Sequence, residues 1–272
     1  MALEAVTKAR SGSSNLVPHK VRLHLVVDRR KGVVRPVDSA ARAQRAPVIV
    51  AIDGPAGTGK SSTSRAVAAR LGLRYLDTGA QYRAAAWWML TNGVDVADAA
   101  AIAAAAEKPQ IVSGTDPGTP TITVDGADAS GPIRTQEVTA AVSAVSAVPE
   151  VRTRITALQR SIAAESVKNG GIVVEGRDIG TTVLPDADVK IFLTASEEVR
   201  AARRSGELKG KEARDLAATQ ASLARRDAAD SGRKVSPLAK AADATEVDTT
   251  ELTLEQVIQC VVTLVEEKQQ GR

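Results

Sequence analysis

The chain has 272 residues, which is enough for one sizeable domain or two small ones. Its 43% hydrophobic and 25% charged residues are typical of a folded globular protein and exclude a collagen-like, fibrous or wholly disordered chain. One cysteine and two histidines argue against a disulfide or a structural zinc site, and 2% aromatic residues disfavour a nucleic-acid binder built on stacked bases. The composition predicts a cytoplasmic protein without a membrane-spanning segment.

The first 46 residues differ in charge from the rest of the chain. They hold ten of the 36 Lys and Arg residues but three of the 32 Asp and Glu residues, so the basic character of the protein belongs to this segment. It lacks the apolar core of a secretory signal, and we expect a mobile N-terminal extension. Within it, Val21–Val27 alternates apolar and basic residues, which would also suit a short strand, and a basic arm could contact nucleic acid or an acidic partner.

After Pro47, short β-branched runs alternate with amphipathic stretches, which is typical of a parallel sheet covered by helices. The runs that predict strands are Val48–Asp53, Arg74–Asp77, Gly171–Glu175, Val189–Leu193 and Ala244–Asp248. We therefore predict one α/β domain over residues 47–272, with a five-stranded parallel sheet and helices on both faces.

A long stretch separates the second and third of these runs. Residues Ile111–Ser130 carry Thr-Ile-Thr-Val, Asp-Gly and several prolines and glycines, which favour short strands and turns. Helical periodicity then returns over Arg134–Val148 and Val151–Lys168, with Pro149 at the start of the second helix. We expect a small β insert, within residues 109–150, that acts as a flap on the sheet domain.

A glycine-rich motif follows the first predicted strand. Residues 54–61 satisfy G-x-x-x-x-G-K-[ST] and lead into an amphipathic segment that runs to Leu71. In such a loop the backbone N–H groups surround the β-phosphate, Lys60 contacts the β- and γ-phosphates, and the Ser61 hydroxyl binds Mg²⁺. The alternative is a glycine-rich turn without a ligand. The motif predicts ATP binding by Gly54, Pro55, Ala56, Gly57, Thr58, Gly59, Lys60, Ser61 and Ser62.

A phosphate loop alone does not separate kinases, GTPases, ATPases and helicases. The sequence contains no Asn-Lys-x-Asp segment for reading guanine, and it is too short for a large motor ATPase. Two polar segments, Leu76–Arg83 and Glu175–Gly180, follow predicted strands at the edge where open α/β sheets bind ligands. We expect the phosphoryl acceptor to bind there.

From Val48 to about Lys268 the chain resembles the bacterial cytidylate kinase family of nucleoside monophosphate kinases. The resemblance rests on Asp-Gly-Pro-Ala-Gly-Thr-Gly-Lys, Asp-Thr-Gly-Ala-x-Tyr-Arg, Ile-Arg-Thr-Gln-Glu-Val and Glu-Gly-Arg-Asp-Ile-Gly-Thr, and on a later segment with Arg226-Asp227, Asp230, Arg233 and Pro237-Leu238. It implies a phosphate-loop NTPase-like fold and Mg²⁺-dependent transfer from ATP to CMP or dCMP. It also implies that the β insert binds the monophosphate and that a helical lid covers ATP.

The resemblance implies which residues contact the acceptor nucleotide. Cytosine presents an amino donor beside acceptors at N3 and O2, which suits one carboxylate and one or two donors, whereas uracil reverses two of these positions. A solvated helix charge is the alternative for each arginine. The acceptor phosphate would be held by Thr78, Arg83 and Arg177, the cytosine by Ser143, Arg152 and Asp178, and the sugar and base by Arg226, Asp230 and Arg233, with Tyr82 also in the CMP site.

Three arginines follow the fourth predicted strand at the start of the lid, which we place over residues 200–215. Guanidinium groups bind phosphate oxygens in pairs. We predict that Arg200 contacts ATP and that Arg203 and Arg204 act with Lys60 and Arg177 as catalytic charges. Glu175 is a candidate to hold Mg²⁺ through water, together with Ser61, and Asp77 is a second candidate carboxylate.

Two alternatives to a (d)CMP kinase remain at this point. One is another small phosphate-loop kinase that acts on UMP or on a non-nucleotide acid. The other is a nucleic-acid-binding regulator that uses the basic extension. The preferred interpretation predicts ATP and CMP or dCMP as small-molecule partners, no membrane or nucleic-acid partner, and a monomer.

Overall fold

The computed structural model describes residues 46–207 and 216–271. The basic extension over residues 1–45, with the strand considered at Val21–Val27, and the part of the lid over residues 208–215 lie outside the described residues. None of the described helices combines the length and apolar character that crossing a membrane requires.

Strands and helices alternate along much of the described chain. The strands are β1 (Val48–Asp53), β2 (Arg74–Asp77), β3 (Ile111–Ser113), β4 (Ile122–Val124), β5 (Ala127–Asp128), β6 (Gly171–Glu175), β7 (Val189–Thr194) and β8 (Thr245–Asp248). The helices are α1 (Lys60–Leu71), α2 (Thr78–Thr91), α3 (Ala99–Ala105), α4 (Gln136–Ala147), α5 (Pro149–Val167), α6 (Glu197–Glu207), α7 (Leu216–Ser231) and α8 (Leu254–Gln270). A 3₁₀ turn covers Pro132–Arg134 and a π-helical turn covers Ile179–Val183.

The predicted parallel sheet is confirmed, with strand order β2-β6-β1-β7-β8. Strand β6 is buried along its whole length, because it lies inside the sheet and is covered on both faces. Since β1 lies next to β6, and β6 next to β2, the segments that follow these three strands emerge side by side. The carboxyl edge of the sheet therefore brings together the phosphate loop and both polar segments.

Helices cover both faces of the sheet, as predicted. On one face α1 and α8 pack against Val50 and Ile52 of β1, and the Cys260 thiol is buried in this layer. On the other face Ala163 of α5 packs with Ala51, the residue between those two. The alternation follows from the period of two in a strand, so consecutive residues of β1 serve two different layers.

The small β insert is present as an antiparallel sheet of β3, β4 and β5, and it packs on α2, α4 and α5. The loop between β3 and β4 also covers the free edge of β2, where Tyr75 N donates to Thr115 O at 2.9 Å. Arg65 of α1 holds the same loop, with bonds to Pro117 O and Gly118 O at 3.1 Å each. These contacts fix the insert beside the helix that begins at the phosphate loop.

Candidate active site

A cavity of about 290 Å³ opens at the carboxyl edge of the sheet. The segments after β1, β2 and β6 line it, together with residues of α4, α5 and α7. The predicted donor loop and the predicted acceptor residues therefore share one cavity. Of the predicted residues, the cavity brings together Ala56, Gly57, Gly59, Lys60, Ser61, Ser62, Thr78, Tyr82, Arg83, Ser143, Arg152, Glu175, Arg177, Asp178, Arg204, Arg226, Asp230 and Arg233.

The phosphate loop needs its glycines for space and for backbone conformation. Gly54 has φ +146°, and a Cβ there would lie 2.2 Å from Leu193 O of β7. Gly57 has φ +80°, and its Cβ would lie 2.9 Å from Arg200 O. The loop is thus wedged between β7 and α6. Gly54, Pro55 and Thr58 shape it without lining the cavity.

Lys60 begins α1 and is buried. Its Nζ donates to Pro55 O at 2.5 Å and to Thr58 Oγ1 at 3.4 Å, which holds the ammonium group inside the loop. Burial lowers the pKa of Lys60 below its usual value, and the nearby Arg177 charge acts in the same direction. A phosphate anion beside Lys60 would relieve both effects, since an opposite charge favours the protonated form.

Arg200 does not line the cavity and lies behind the phosphate loop. Its Nη1 donates to Ala56 O at 3.2 Å and forms an ion pair with Asp227 of α7. The other oxygen of Asp227 accepts from Ala56 N at 3.1 Å. Both backbone polar groups of Ala56 are therefore held by side chains of α6 and α7. This geometry supports a role for Arg200 in shaping the loop and does not support the predicted contact with ATP.

Arg203 is also directed away from the cavity. It donates to Thr249 Oγ1 at 2.8 Å and to Thr249 O at 2.7 Å, in the loop between β8 and α8. The predicted catalytic contact of Arg203 therefore has no support in this geometry. Of the three lid arginines, Arg204 is the one that lines the cavity.

Oxygen ligands that suit Mg²⁺ lie at the start of α1 and the end of β6. Ser61 Oγ donates to Glu175 Oε2 at 3.0 Å, and the buried Tyr75 hydroxyl donates to Glu175 Oε1. Burial raises the pKa of Glu175 to about 7, and the charge of Asp77 acts in the same direction. Asp77 instead caps α2, where its Oδ1 accepts from Ala80 N at 3.0 Å.

The donor set around Ser61 and Glu175 fits a cation that is shared with a nucleotide. Within residues 46–207 and 216–271 there is no group of three or more acidic, histidine or cysteine side chains that could hold a metal by itself. Mg²⁺ usually keeps several waters and binds through one or two protein oxygens together with substrate phosphates. A hydroxyl and a carboxylate beside a phosphate loop match that requirement.

A buried ion pair lines the cavity at the start of α5. Arg152 pairs with Asp178, with 3% and 6% of their side chains exposed. Arg152 Nη1 also donates to Ser146 O at 3.2 Å, and the guanidinium carbon lies 5.3 Å from the centre of the Tyr82 ring. Burial raises the pKa of Asp178, which Arg152 opposes. A carboxylate and a fixed donor are thus held side by side, as recognition of cytosine requires.

A second ion-pair group lies at the end of α7. Asp230 accepts from Arg177 Nε at 3.0 Å and pairs with Arg233, which donates to Ser146 Oγ at 3.0 Å. Asp230 is buried, so its charge is balanced by two arginines rather than by water. These bonds join α4, α7 and the segment after β6.

Five arginines, here called the arginine cluster, line the cavity: Arg83, Arg134, Arg177, Arg204 and Arg226. One of them, Arg177, also pairs with Asp230. Burial lowers the pKa of Arg83 to about 10 and that of Arg226 to about 9, and the other arginines act in the same direction. A further anion among these guanidinium groups would favour their charged form. The arginine cluster is therefore suited to phosphate groups.

Some lining residues were not predicted from the sequence. Arg134 lies in the quoted Ile-Arg-Thr-Gln-Glu-Val motif, so the signal for it was available. Ser146 and Tyr75 carry no local signal, because their roles depend on partners far away in the sequence. The cavity also contains Asp77, the second candidate carboxylate, and the cavity residues outside the predicted set are Gly79, Arg134, Val142, Ser146, Gly176 and Leu223.

A glycine-rich loop between β1 and α1 of a parallel sheet, facing a cluster of arginines, defines a phosphate-loop nucleotide-binding protein. Sequence comparison specifies the family: the model of the cytidylate kinase family matches residues 50–267, and the chain belongs to that family. A cytidylate kinase of Streptomyces griseus subsp. griseus is 79% identical, over 82% of this chain and 95% of that protein. Similar proteins named cytidylate kinase occur in Streptomyces avermitilis, at 73% identity over 83% of this chain and 95% of that protein, and in Nocardia farcinica, at 57% identity over 78% and 90%.

Proposed function

We propose that the protein transfers the γ-phosphoryl group of MgATP to CMP or dCMP and releases ADP and CDP or dCDP. The observation that carries this proposal is the buried pair of Arg152 and Asp178 in the same cavity as the phosphate loop. The carboxylate suits the amino group of cytosine, and the neighbouring donors suit its ring acceptors. Membership of the cytidylate kinase family supports the same substrate class.

Each group of residues has one task in the proposed reaction. The loop from Gly54 to Ser62 binds the phosphates of ATP, and Lys60 stays with the β- and γ-phosphates. Ser61 and Glu175 would hold Mg²⁺, which when bound neutralises charge on the β- and γ-phosphate oxygens. Thr78, with the arginine cluster, orients the phosphate of CMP.

No protein nucleophile is needed for this chemistry. An oxygen of the CMP phosphate attacks the γ-phosphorus of ATP in line, and the bond to the β,γ-bridging oxygen breaks. Arg177 and Arg204 line the cavity between the two sites, where they would stabilise the charge on the transferring group. A lid that excludes water would prevent hydrolysis of ATP. We also propose Mg²⁺ as the cofactor, which the donor set of Ser61 and Glu175 supports, and a cytoplasmic location, which the single cysteine fits. A monomeric state is part of the same proposal.

The proposal is tested by the release of ADP in a coupled assay with CMP, dCMP and UMP. CMP and dCMP should be turned over. The value of kcat/KM for UMP should be lower than that for CMP by at least about 10³-fold, because UMP leaves buried polar groups without partners. Equal or faster turnover of UMP, or no turnover of any monophosphate, would contradict the proposal. Light scattering on a sizing column tests the monomer.

A further inference from the structure

Asp53 ends β1 directly before the phosphate loop, and its carboxylate is used by another segment. The residue is 5% exposed. Its Oδ1 accepts from Ile179 N at 2.9 Å, and its Oδ2 accepts from Gly180 N at 2.8 Å. Both oxygens are thus committed to the turn that follows Asp178. Asp53 does not line the cavity.

The backbone around Asp53 is held without the help of this side chain. β1 pairs with β7, with Asp53 opposite Phe192. Gly54 then approaches Leu193 so closely that no side chain fits there. The start of the phosphate loop is therefore fixed by the sheet. A change confined to the Asp53 carboxylate removes two hydrogen bonds from the turn and none from the loop, which it reaches through the charge interaction with Lys60.

The turn in question sets the backbone of Asp178. It is the π-helical turn Ile179–Val183, in which Thr182 N and Val183 N both donate to Asp178 O, at 2.9 Å and 3.1 Å. Asp53 holds the first two N–H groups of this turn. A continuous set of bonds therefore runs from the end of β1 to the carboxylate that pairs with Arg152.

We propose that Asp53 is a positioning residue for base selection, which holds the turn so that Asp178 faces the acceptor base. This inference rests on the proposed function, since it concerns the choice between CMP and other monophosphates. The chemistry requires a carboxylate, because an ionised Asp can accept with both oxygens. An asparagine of the same shape would turn an NH₂ group toward one of the two N–H donors, and the turn would have to move.

The test is Asp53→Asn, assayed with CMP, UMP and ATP. We expect kcat/KM for CMP to fall about 10- to 100-fold, as is usual when a group that orients a functional residue is lost. The ratio of kcat/KM for CMP to that for UMP should fall with it, while KM for ATP changes less than KM for CMP. The matched control is Asp188→Asn, at the other end of β1, where Asp188 Oδ2 accepts from Ile49 N at 2.7 Å. This control should leave the ratio unchanged.

An unchanged CMP:UMP ratio in folded Asp53→Asn would overturn the inference, as would a rise in KM for ATP equal to that for CMP. If the variant does not fold at the assay temperature, Asp53→Glu decides in the same way. It keeps the charge but carries the carboxylate one methylene away from the positions that accept from Ile179 N and Gly180 N, so it should also lower the ratio. A wild type that does not prefer CMP would contradict the proposed function instead.

Discussion

Removing the carboxylate of Asp178 tests how the buried ion pair serves both stability and selection. In Asp178→Ala the guanidinium of Arg152, which is 2% exposed, keeps Ser146 O at 3.2 Å and the Tyr82 ring at 5.3 Å as partners. An uncompensated buried charge of this kind costs about 3 to 5 kcal/mol of the free energy of unfolding. For a chain of this size, that corresponds to a fall in Tm of roughly 6 to 20 °C.

A double variant separates the two roles. Replacing the pair by apolar side chains of similar size, as in Arg152→Met with Asp178→Leu, removes both charges and should restore most of the stability. Turnover of CMP should remain low in it, because no group is left to pair with cytosine. Urea unfolding gives the stabilities, and the coupled assay gives kcat/KM for CMP and UMP. A loss below about 1 kcal/mol in Asp178→Ala, or a double variant as unstable as the single one, would refute this reasoning.

Three further predictions concern the loop and its support. Lys60→Ala should lower kcat about 10²- to 10³-fold or more, with an unchanged circular dichroism spectrum; activity within tenfold of the wild type would contradict the role of Lys60. Asp227→Ala frees Ala56 N and Arg200, so kcat/KM for ATP should fall about tenfold and that for CMP less; an equal effect on both would show that Asp227 does not act through the loop. Burial raises the pKa of Asp53 from 3.8 to about 6, so the folded protein binds this proton more tightly than the unfolded chain. The stability that Asp53 contributes is therefore greatest below about pH 4 and is lost as the pH rises through about 6. Relative to Asp53→Asn, the free energy of unfolding should fall by about 2 kcal/mol between pH 4 and pH 7 in urea titrations, and a constant difference would contradict the shifted pKa.

The strands of the main sheet could be predicted to within a residue, and for β1 and β6 the reason is that an apolar run reflects burial on both faces. Strand β6 is an example, because its continuous Ile-Val-Val run is not the alternating pattern of a half-exposed strand. Helix α3 was not predicted, because the alanine run Ala99–Ala105 shows no apolar period. Its start depends on the cap from Asp98, whose Oδ1 accepts from Ala100 N at 2.8 Å.

In the candidate site too, some residues could be assigned from local sequence, whereas the orientation of others depends on partners far along the chain. Residues 54–61 could be assigned because the geometry of a phosphate loop is contained in its own sequence. The orientation of Arg200 and Arg203 could not be, since their partners, Asp227 and Thr249, lie on elements far along the chain. The sequence analysis predicted that Arg200, Arg203 and Arg204 all act on ATP. In the structure Arg204 lines the cavity, whereas the other two bind Asp227 and Thr249.

The position of the two tryptophans gives this protein a built-in optical reporter. Trp87 and Trp88 both lie on α2, and the chain has no others. Trp88 Nε1 donates to Asp125 Oδ2 at 2.6 Å, and Asp125 lies in the turn between β4 and β5 with φ +51°. Because the Trp88 indole is tied to the β insert, its fluorescence emission should respond to movement of the insert relative to α2. The Trp88 part of a spectral change on adding CMP would therefore report on the insert without an attached dye.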